Sequence, residues 1–172
     1  MRLDQAFYEG NAPDVAPLLL GAWLCHATPE GVLRRRIVET EAYFGEDDTA
    51  CHAHRGRTPR TQTLYLPGGA VYVYLCYGIH ELFNVVTGPA EYPQAVLIRG
   101  VEGAIGPGRA SRVLGLSREL NGEDLATSPR VWIEAGAPMA YTTAPRVGIN
   151  YAAPEDRERL WRFVAESTSE VK

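Results

Sequence analysis

Two segments in which every second side chain is polar or aromatic constrain the fold of this chain more than any other feature. In residues 37–43, apolar and β-branched residues alternate with two glutamates and a tyrosine, and residues 71–78 carry tyrosines in a similar rhythm. Side chains two positions apart lie on the same face of a β-strand. The pattern therefore predicts two strands. The first presents Glu39, Glu41 and Tyr43 on one face, so that a carboxylate and an aromatic ring face one pocket.

The second segment places its tyrosines in two different environments. Tyr72 and Tyr74 have the same parity and share a face of the predicted strand, whereas Tyr77 has the opposite parity. Tyr77 precedes Gly78, and a glycine at that point favours a tight turn. We therefore expect one tyrosine to line the pocket and Tyr77 to occupy the tip of a β-hairpin.

Further β-like runs indicate an antiparallel meander with helices around it. Apolar spacing predicts a short helix with Asp14 as its N-cap, and the Gly106-Pro107-Gly108 turn predicts a second helix that reaches Leu116. Residues 45–69 are polar and read as a long irregular loop, a feature that is usually functional or disordered. The strands are predicted at 22–27, 32–43, 70–76, 82–87, 95–101, 131–134, 146–149 and 161–164.

Length and composition fit one globular domain. At 172 residues and 45% hydrophobic content, the chain can bury a sizeable core, and no break in composition divides it. We predict an α+β fold over residues 1–172. It would be a single compact domain with a curved antiparallel sheet, a few flanking helices and a protruding β-hairpin.

The compartment follows from apolar run length and cysteine usage. The longest apolar stretch, residues 18–24, is too short to span a bilayer, and the N-terminus lacks the pattern of a signal peptide. Cys25, Cys51 and Cys76 are odd in number and form no CxxC pair, which argues against a complete disulfide framework. We expect a soluble cytoplasmic protein with no membrane contact.

The charge balance leaves a nucleic-acid partner open. A formal net charge of −4 counts against such a partner, but sixteen of the seventeen basic residues are arginine, which binds phosphate in a bidentate manner. Phosphate contacts need only a few local arginines. The helix that begins after Gly106 would also expose amides able to hold an anion. The local sets are Arg34, Arg35 and Arg36, then Arg55, Arg57 and Arg60, then Arg99, Arg109, Arg112 and Arg118.

Several short motifs follow one another along the chain. They are Arg36-Ile37-Val38-Glu39-Thr40-Glu41-Ala42-Tyr43, His52, Thr58-Pro59-Arg60, Tyr72-Val73-Tyr74-Leu75-Cys76-Tyr77-Gly78, Asn84, Val96-Leu97-Ile98-Arg99, Gly106-Pro107-Gly108, Asn121-Gly122 and Arg146-Val147-Gly148. Together these ordered motifs closely resemble the alkyladenine, or 3-methyladenine, DNA glycosylase family of monofunctional base-excision enzymes. The resemblance covers roughly residues 18–163, and any one motif alone would be weak evidence.

The resemblance implies a catalytic group of three residues. Glu41 would be the general base that activates a water against the anomeric carbon of a flipped nucleotide, and it would stabilise the positive charge that develops on the sugar. Arg99 would help to hold that water and the carboxylate, and the carbonyl of Val147 would be the remaining water ligand. Glu39, which shares the face by parity, is the competing carboxylate, and a half-exposed strand glutamate is the plain structural alternative for Glu41.

The resemblance also implies a base pocket. Tyr43, His52 and Tyr74 would sandwich the extruded base, since an aromatic cage favours electron-poor alkylated purines through stacking and cation–π attraction. Asn84 would sterically disfavour the exocyclic amine of normal guanine, or else be a structural asparagine. We interpret Tyr72 as a core tyrosine.

Contacts with the duplex follow from the same resemblance and from charge. Tyr77 would wedge into the space that the flipped nucleotide leaves. Arg57, Arg60 and Arg109 are candidate phosphate contacts, although each could equally be a solvated surface arginine.

The expected partner is double-stranded DNA that contains damaged purines, and the expected product is an abasic site. The resemblance implies 3-methyladenine, 7-methylguanine, hypoxanthine or ethenoadenine as candidate bases. We expect a monomer that uses no metal and no other cofactor. The only lysine, Lys172, lies far from the motifs along the chain, which argues against a Schiff-base lyase step.

Two alternatives from other classes stay open at this point. Cys51, His52, His54 and Cys76 supply metal-binding side chains at short spacing, although the paired spacing of typical zinc sites is missing. The chain could also be a non-catalytic nucleic-acid-binding module whose aromatic strands stack exposed bases, and such a module would not need Glu41.

Overall fold

The computed structural model describes residues 1–166, and within them nine strands form one antiparallel sheet. The sheet runs in the order β3-β4-β5-β2-β1-β7, with β6 on β5, β9 on β2 and β8 on β9. Three short α-helices flank it, so the α+β prediction is confirmed. The strands are β1 (Trp23–Thr28), β2 (Gly31–Phe44), β3 (Val71–Cys76), β4 (His80–Val86), β5 (Gln94–Val101), β6 (Ala104–Ile105), β7 (Val131–Glu134), β8 (Tyr141–Ala144) and β9 (Arg162–Ala165).

Strand β2 connects the two halves of the sheet. Its first half pairs with β1, and its second half, which carries Glu39 and Glu41, pairs with β5 on one side and β9 on the other. The register between β2 and β5 shifts at Glu39, since Glu39 lies opposite Gly100 whereas Thr40 lies opposite Ile98. This β-bulge leaves Arg99 as the extra residue on β5.

The predicted hairpin is formed by β3 and β4, and its tip is exposed. Tyr77 and Gly78 both adopt positive φ values, 53° and 69°, and the Ile79 N–H donates to the Cys76 carbonyl. Such a turn suits glycine but is unfavourable for a tyrosine. The hairpin therefore holds Tyr77 in a backbone conformation that tyrosine rarely adopts.

Two of the three helices lie where the apolar and glycine patterns predict them, with one correction, and the third has no counterpart among the predicted elements. Helix α1 (Ala12–Leu18) begins after Asn11, so the prediction of Asp14 as its N-cap is wrong. Pro13 and Asp14 instead occupy the first turn, where a proline needs no N–H partner. The remaining helices are α2 (Pro107–Leu114) and α3 (Pro154–Glu158).

Two apolar clusters stabilise the sheet. The larger one packs α1 and α2 against the sheet, with Leu19, Ile37, Phe83 and Leu114 all fully or almost fully buried. A second cluster joins side chains of residues 51–65 to β3, β4 and β5. The segment 45–69 is therefore anchored by its own buried side chains, and it contains two short 3₁₀ helices, His52–Arg55 and Gln62–Tyr65.

The strand predicted at residues 146–149 is not formed. The Arg146 side chain is buried in an ion pair, and the Val147 N–H donates to a side chain of β2 instead of to a strand partner. The strand in this region is β8, which pairs with β9. Over residues 1–166, no helix has both the length and the apolar character that crossing a membrane requires.

Candidate active site

A cavity of about 500 Å³ opens between the face of the sheet that carries Glu41 and the segments around residues 50–64 and 147–151. This volume is within the usual range of small-molecule sites, about 300–1,000 Å³. Of the eleven residues to which the sequence assigns a role in catalysis, base binding or DNA contact, only Arg57 and Arg109 do not line the cavity. The nine that line it are Glu41, Tyr43, His52, Arg60, Tyr74, Tyr77, Asn84, Arg99 and Val147.

Glu41 is fully buried, and both of its oxygens accept hydrogen bonds. The Tyr43 hydroxyl donates to Oε1 over 2.7 Å, and the Val147 N–H donates to Oε2 over 2.7 Å. Burial raises the pKa of Glu41, while these two donors and the charges of Arg99 and Arg146 act in the opposite direction. A carboxylate with a raised pKa is a better proton acceptor than an ordinary surface glutamate.

The Tyr43 hydroxyl is a dependable donor to this carboxylate. Burial, followed by the charge of Glu41, raises the pKa of Tyr43 well above its ordinary value. The hydroxyl therefore keeps its proton at neutral pH. Its ring packs against both the second apolar cluster and a small cluster that contains Ala50 and Ile149.

Arg99 lies close to both carboxylates of β2. Its Nε donates to Glu39 Oε2 over 3.1 Å, whereas the distance from Nε to Glu41 Oε2 is 3.8 Å, which is an ion pair beyond hydrogen-bond range. Val147 contacts Glu41 through its backbone N–H. The role of the Val147 carbonyl as a water ligand stays a prediction.

Three aromatic rings form one wall of the cavity. The ring centres of His52 and Tyr74 are 4.4 Å apart, and His52 Nδ1 lies 2.8 Å from the Tyr72 hydroxyl in a hydrogen bond. Tyr72 is buried, as a core tyrosine would be, but it also lines the cavity and orients His52. Sequence parity alone does not reveal this second role, because it depends on a residue outside the strand.

Burial and then the charge of Arg60 lower the pKa of His52 from 6.5 to about 4. The imidazole is therefore neutral at pH 7. A neutral ring can stack against a positively charged aromatic group without electrostatic repulsion.

This lowered pKa predicts a pH-dependent stability. As pH falls from 6.5 towards 4, the unfolded chain binds a proton at His52 before the folded protein does, so the free energy of unfolding should fall by up to about 3 kcal/mol in that interval. We expect His52→Phe to remove this part of the pH dependence in urea unfolding measured across the interval. His54→Phe, in the same 3₁₀ helix but exposed, is the matched control and should retain it. Parallel curves for wild type and His52→Phe would contradict the prediction.

Arg146 is a site residue whose role is not visible in the sequence. Its guanidinium binds Asp48 in a bidentate manner, with Nη1–Oδ2 and Nη2–Oδ1 distances of 2.6 and 3.0 Å. It also stacks on Tyr43 and Trp161, at 4.8 and 5.0 Å from the ring centres. The pair thereby fixes the ring of Tyr43 and the backbone that leads into Val147.

Asn84 and Tyr77 occupy opposite extremes of exposure. Asn84 is buried, and its Nδ2 donates to the carbonyls of Tyr72 and Leu82 over 3.2 and 3.3 Å, which fixes the amide in the wall of the cavity. Tyr77 is 90% exposed at the hairpin tip and still lines the mouth of the same cavity. The structure thus brings both residues to the site, and their assigned roles stay predictions.

The three candidate phosphate contacts have different surroundings. Arg60 borders the cavity with its guanidinium 5.3 Å from the centre of the Tyr74 ring. Arg57 pairs with Glu91 at 2.7 Å and covers Tyr65, so part of its charge is compensated. Arg109 is exposed in the first turn of α2. Arg60 is therefore the only one of these three arginines that lines the cavity.

Within residues 1–166, the side chains considered as metal ligands do not come together in one site. Among residues 1–166, no group of three or more His, Cys, Asp or Glu side chains is placed to hold a metal ion. Cys51, His52, His54 and Cys76 therefore form no such group. The Nδ1 atoms of both histidines are used in hydrogen bonds, His52 with Tyr72 and His54 with the Glu46 carbonyl.

A buried carboxylate that faces an aromatic cavity, beside an exposed aromatic hairpin tip, is the arrangement expected of an enzyme that excises a base from DNA. Residues 6–105 and 103–169 match the profile of the methylpurine-DNA glycosylase family. The chain therefore belongs to the methylpurine-DNA glycosylase family, which confirms the resemblance seen in the sequence.

Individual relatives agree with this membership. A protein of Anaeromyxobacter dehalogenans strain 2CP-C, provisionally named a 3-methyladenine DNA glycosylase, is 46% identical over 99% of this chain and 86% of its own length. Relatives with the same provisional name are 45% identical in Myxococcus xanthus, over 92% and 89% of the two chains, and 38% identical in Borreliella afzelii, over 98% of each. Together they support a DNA glycosylase role in repair, with DNA as the substrate.

Proposed function

We propose that this chain is a monofunctional DNA glycosylase that flips an alkylated or deaminated purine out of duplex DNA and hydrolyses its N-glycosidic bond, leaving an abasic site. The observation that carries the proposal is Glu41, a buried carboxylate held by two donors at the wall of an aromatic cavity. The candidate bases are 3-methyladenine, 7-methylguanine, hypoxanthine and ethenoadenine. The membership of the family supports the same chemistry.

The reaction is hydrolysis by a water molecule that Glu41 activates. As the bond between the purine and the anomeric carbon breaks, its electron pair leaves with the base and positive charge builds on the sugar. The Glu41 carboxylate stabilises that charge and accepts the proton of the attacking water, while Arg99 and the Val147 carbonyl orient the water. The buried setting of Glu41 supports this role, because its raised pKa makes proton transfer easier.

Selection of the base is assigned to the cavity. Tyr43, Tyr74 and the neutral His52 offer stacking surfaces that favour electron-poor purines. Asn84, held by two backbone carbonyls, is a rigid group against which the exocyclic amine of guanine would clash. Discrimination then depends on shape and stacking rather than on sequence readout.

Incubation with duplexes that each carry one candidate lesion tests the proposal. We expect mass spectrometry to detect the free intact purine and an abasic strand, and we expect borohydride to trap no covalent protein–DNA adduct. Residues 1–166 contain no lysine, and Lys172 lies outside the described residues. Intact lesions in every duplex would contradict the glycosylase assignment, and a strong trapped adduct would contradict the monofunctional one.

Tyr77 is the group proposed to fill the space vacated in the duplex. Flipping costs a few kcal/mol, and a positive φ at an exposed tyrosine is a strain that functional sites tend to retain. We expect Tyr77→Ala to lower the rate of base release from duplex DNA at least about tenfold, with a smaller effect on single-stranded DNA.

Ile79→Ala is the matched control for Tyr77→Ala, since Ile79 is 71% exposed in the same turn. Both variants should retain the stability of the wild type, because neither side chain is buried. The proposed role of Tyr77 in filling the vacated space would be contradicted by either of two results. One is an equal loss of rate on duplex and single-stranded DNA in Tyr77→Ala, and the other is a loss of rate in Ile79→Ala as large as that in Tyr77→Ala.

A further inference from the structure

Glu39 is a buried carboxylate that the proposed reaction does not use. It lies two positions before Glu41 on β2 and is 6% exposed. Its Oε2 accepts hydrogen bonds from two guanidinium groups, from Arg99 Nε over 3.1 Å and from Arg162 Nη1 over 3.2 Å. One oxygen atom of Glu39 thus joins β5 and β9 on the face of the sheet that carries the catalytic carboxylate.

The β-bulge brings Arg99 to this oxygen. Glu39 lies opposite Gly100 and Thr40 lies opposite Ile98, so the residue between them on β5 has no partner on β2 and can turn its side chain towards the carboxylates. Gly100 permits the close approach, since a Cβ atom there would lie only 3.3 Å from Glu39 Cβ and 3.2 Å from Ile105 Cδ1. The arrangement is specified by the backbone and not by a chance side-chain contact.

Arg162 fixes Glu39 from the other side. It lies opposite Glu41 in the register between β2 and β9, and its Nε donates to the Pro145 carbonyl over 2.8 Å. Pro145 leads directly into the segment whose Val147 N–H holds Glu41. Glu39 is therefore held in place by a side chain that is itself anchored beside the catalytic residue.

We propose that Glu39 is a positioning residue that holds Arg99 away from a direct hydrogen bond with Glu41, so that Glu41 stays free to accept a proton from water. This inference rests on the proposed function of Glu41. The 3.1 Å bond to Glu39 and the 3.8 Å separation from Glu41 are the distances that carry it. In the absence of Glu39, the nearest carboxylate oxygen for Arg99 is Glu41 Oε2.

The direction of the effect follows from the charges around Glu41. A guanidinium that moves into contact with Glu41 favours its ionised form, and the loss of the negative charge of Glu39 acts in the same direction. Both changes make Glu41 a weaker base. The charged and titratable groups around it are Glu39 and Tyr43 on β2, Tyr72, Tyr74 and Cys76 on β3, Tyr77 at the hairpin tip, Arg99 on β5, Arg162 on β9, Cys51, His52 and Arg60 across the cavity, and Arg146 and Tyr151 in the segment 145–151.

The pH dependence of single-turnover base release tests the inference. We expect the acid limb of the profile for Glu39→Gln to lie lower than that of the wild type by about one pH unit. The rate on the plateau should fall by up to about tenfold, because a weaker base transfers the proton less readily. A limb at the wild-type position, or above it, would overturn the proposal whatever happens to the plateau.

Arg162→Gln is the variant of opposite sign. This substitution removes one of the two guanidinium groups that bind Glu39 and leaves Arg99 as the sole guanidinium partner of Glu39 among the described residues. Arg99 therefore stays bound to Glu39, and the acid limb should stay in place or move to higher pH. A downward shift in Arg162→Gln would overturn the proposal, even if Glu39→Gln failed to fold.

A titration of the Glu41 carboxyl in the DNA-free protein separates this inference from the proposed function. With ¹³C-labelled glutamate side chains, the Glu41 resonance assigned by its loss in Glu41→Gln should titrate at lower pH in Glu39→Gln than in the wild type. This result needs no activity, so it stands even if no lesion is excised. An unchanged Glu41 titration would contradict the positioning role.

Discussion

Replacement of Arg146 with alanine should lower the free energy of unfolding by about 3–5 kcal/mol, because it leaves Asp48 buried without its counter-charge. The two side chains are 0% and 2% exposed, and two hydrogen bonds join them. Arg146 also donates to the carbonyls of Ala42 and Asp156, which would lose their partners. Base release should fall as well, because Tyr43 loses the cation stacked on its ring.

Chemical denaturation at neutral pH measures the loss of unfolding free energy, and an ion pair on the surface provides the comparison. Arg130→Ala breaks the partly exposed pair with Glu123 and should cost less than about 1 kcal/mol. Arg146→Lys keeps the charge but loses the bidentate geometry, so its loss should be intermediate. Equal losses in Arg146→Ala and Arg130→Ala would show that the buried pair does not stabilise the site.

Local sequence patterns, alternation in β2 and β3 and β-like apolar runs in β4 and β5, are sufficient to predict the strands that carry the site. The pattern in β2, β3, β4 and β5 is a property of neighbouring residues, and the structure has these strands within two residues of the predicted bounds. The strand predicted at residues 146–149 is wrong because a run with valine and isoleucine resembles a strand. In the structure, burial of Arg146 and the bond from Val147 to Glu41 determine the course of this backbone.

Parity correctly placed Glu39, Glu41 and Tyr43 near one another, but it could not assign their partners. The register shift that aims Arg99 at Glu39 depends on how β5 pairs with β2, and this pairing leaves no mark in either segment alone. Asp48 and Arg146 are separated by 98 positions, so no local pattern connects them. The bond from Tyr72 to His52 likewise joins a strand to a distant turn.

Glu41→Gln should lower the rate of base release by about 10²–10⁴-fold, since it removes the proposed proton acceptor and the negative charge proposed to stabilise the sugar. The amide is nearly isosteric with the carboxylate. Its oxygen can accept from the Val147 N–H while its NH₂ group donates to the Tyr43 hydroxyl, so both contacts survive with one reversed. We therefore expect the variant to fold and to bind lesion-containing duplex DNA.

Glu102→Gln is the matched control for this change. Glu102 is an exposed glutamate in the turn between β5 and β6, and it does not line the cavity. The substitution removes the same charge from the protein without touching the site. The rate of base release by Glu102→Gln should equal that of the wild type. A large loss of rate in Glu41→Gln would then come from the position of Glu41 in the cavity and not from the loss of one negative charge.

Single-turnover release of free purine from a lesion-containing duplex, by wild type and Glu41→Gln with DNA binding measured in parallel, tests the central claim most directly. The structure predicts release by the wild type and a loss of at least about a hundredfold in the variant, with affinity for the duplex retained. Equal rates of release would show that Glu41 is not the base. DNA binding by the wild type without release from any lesion would instead indicate a non-catalytic binding module.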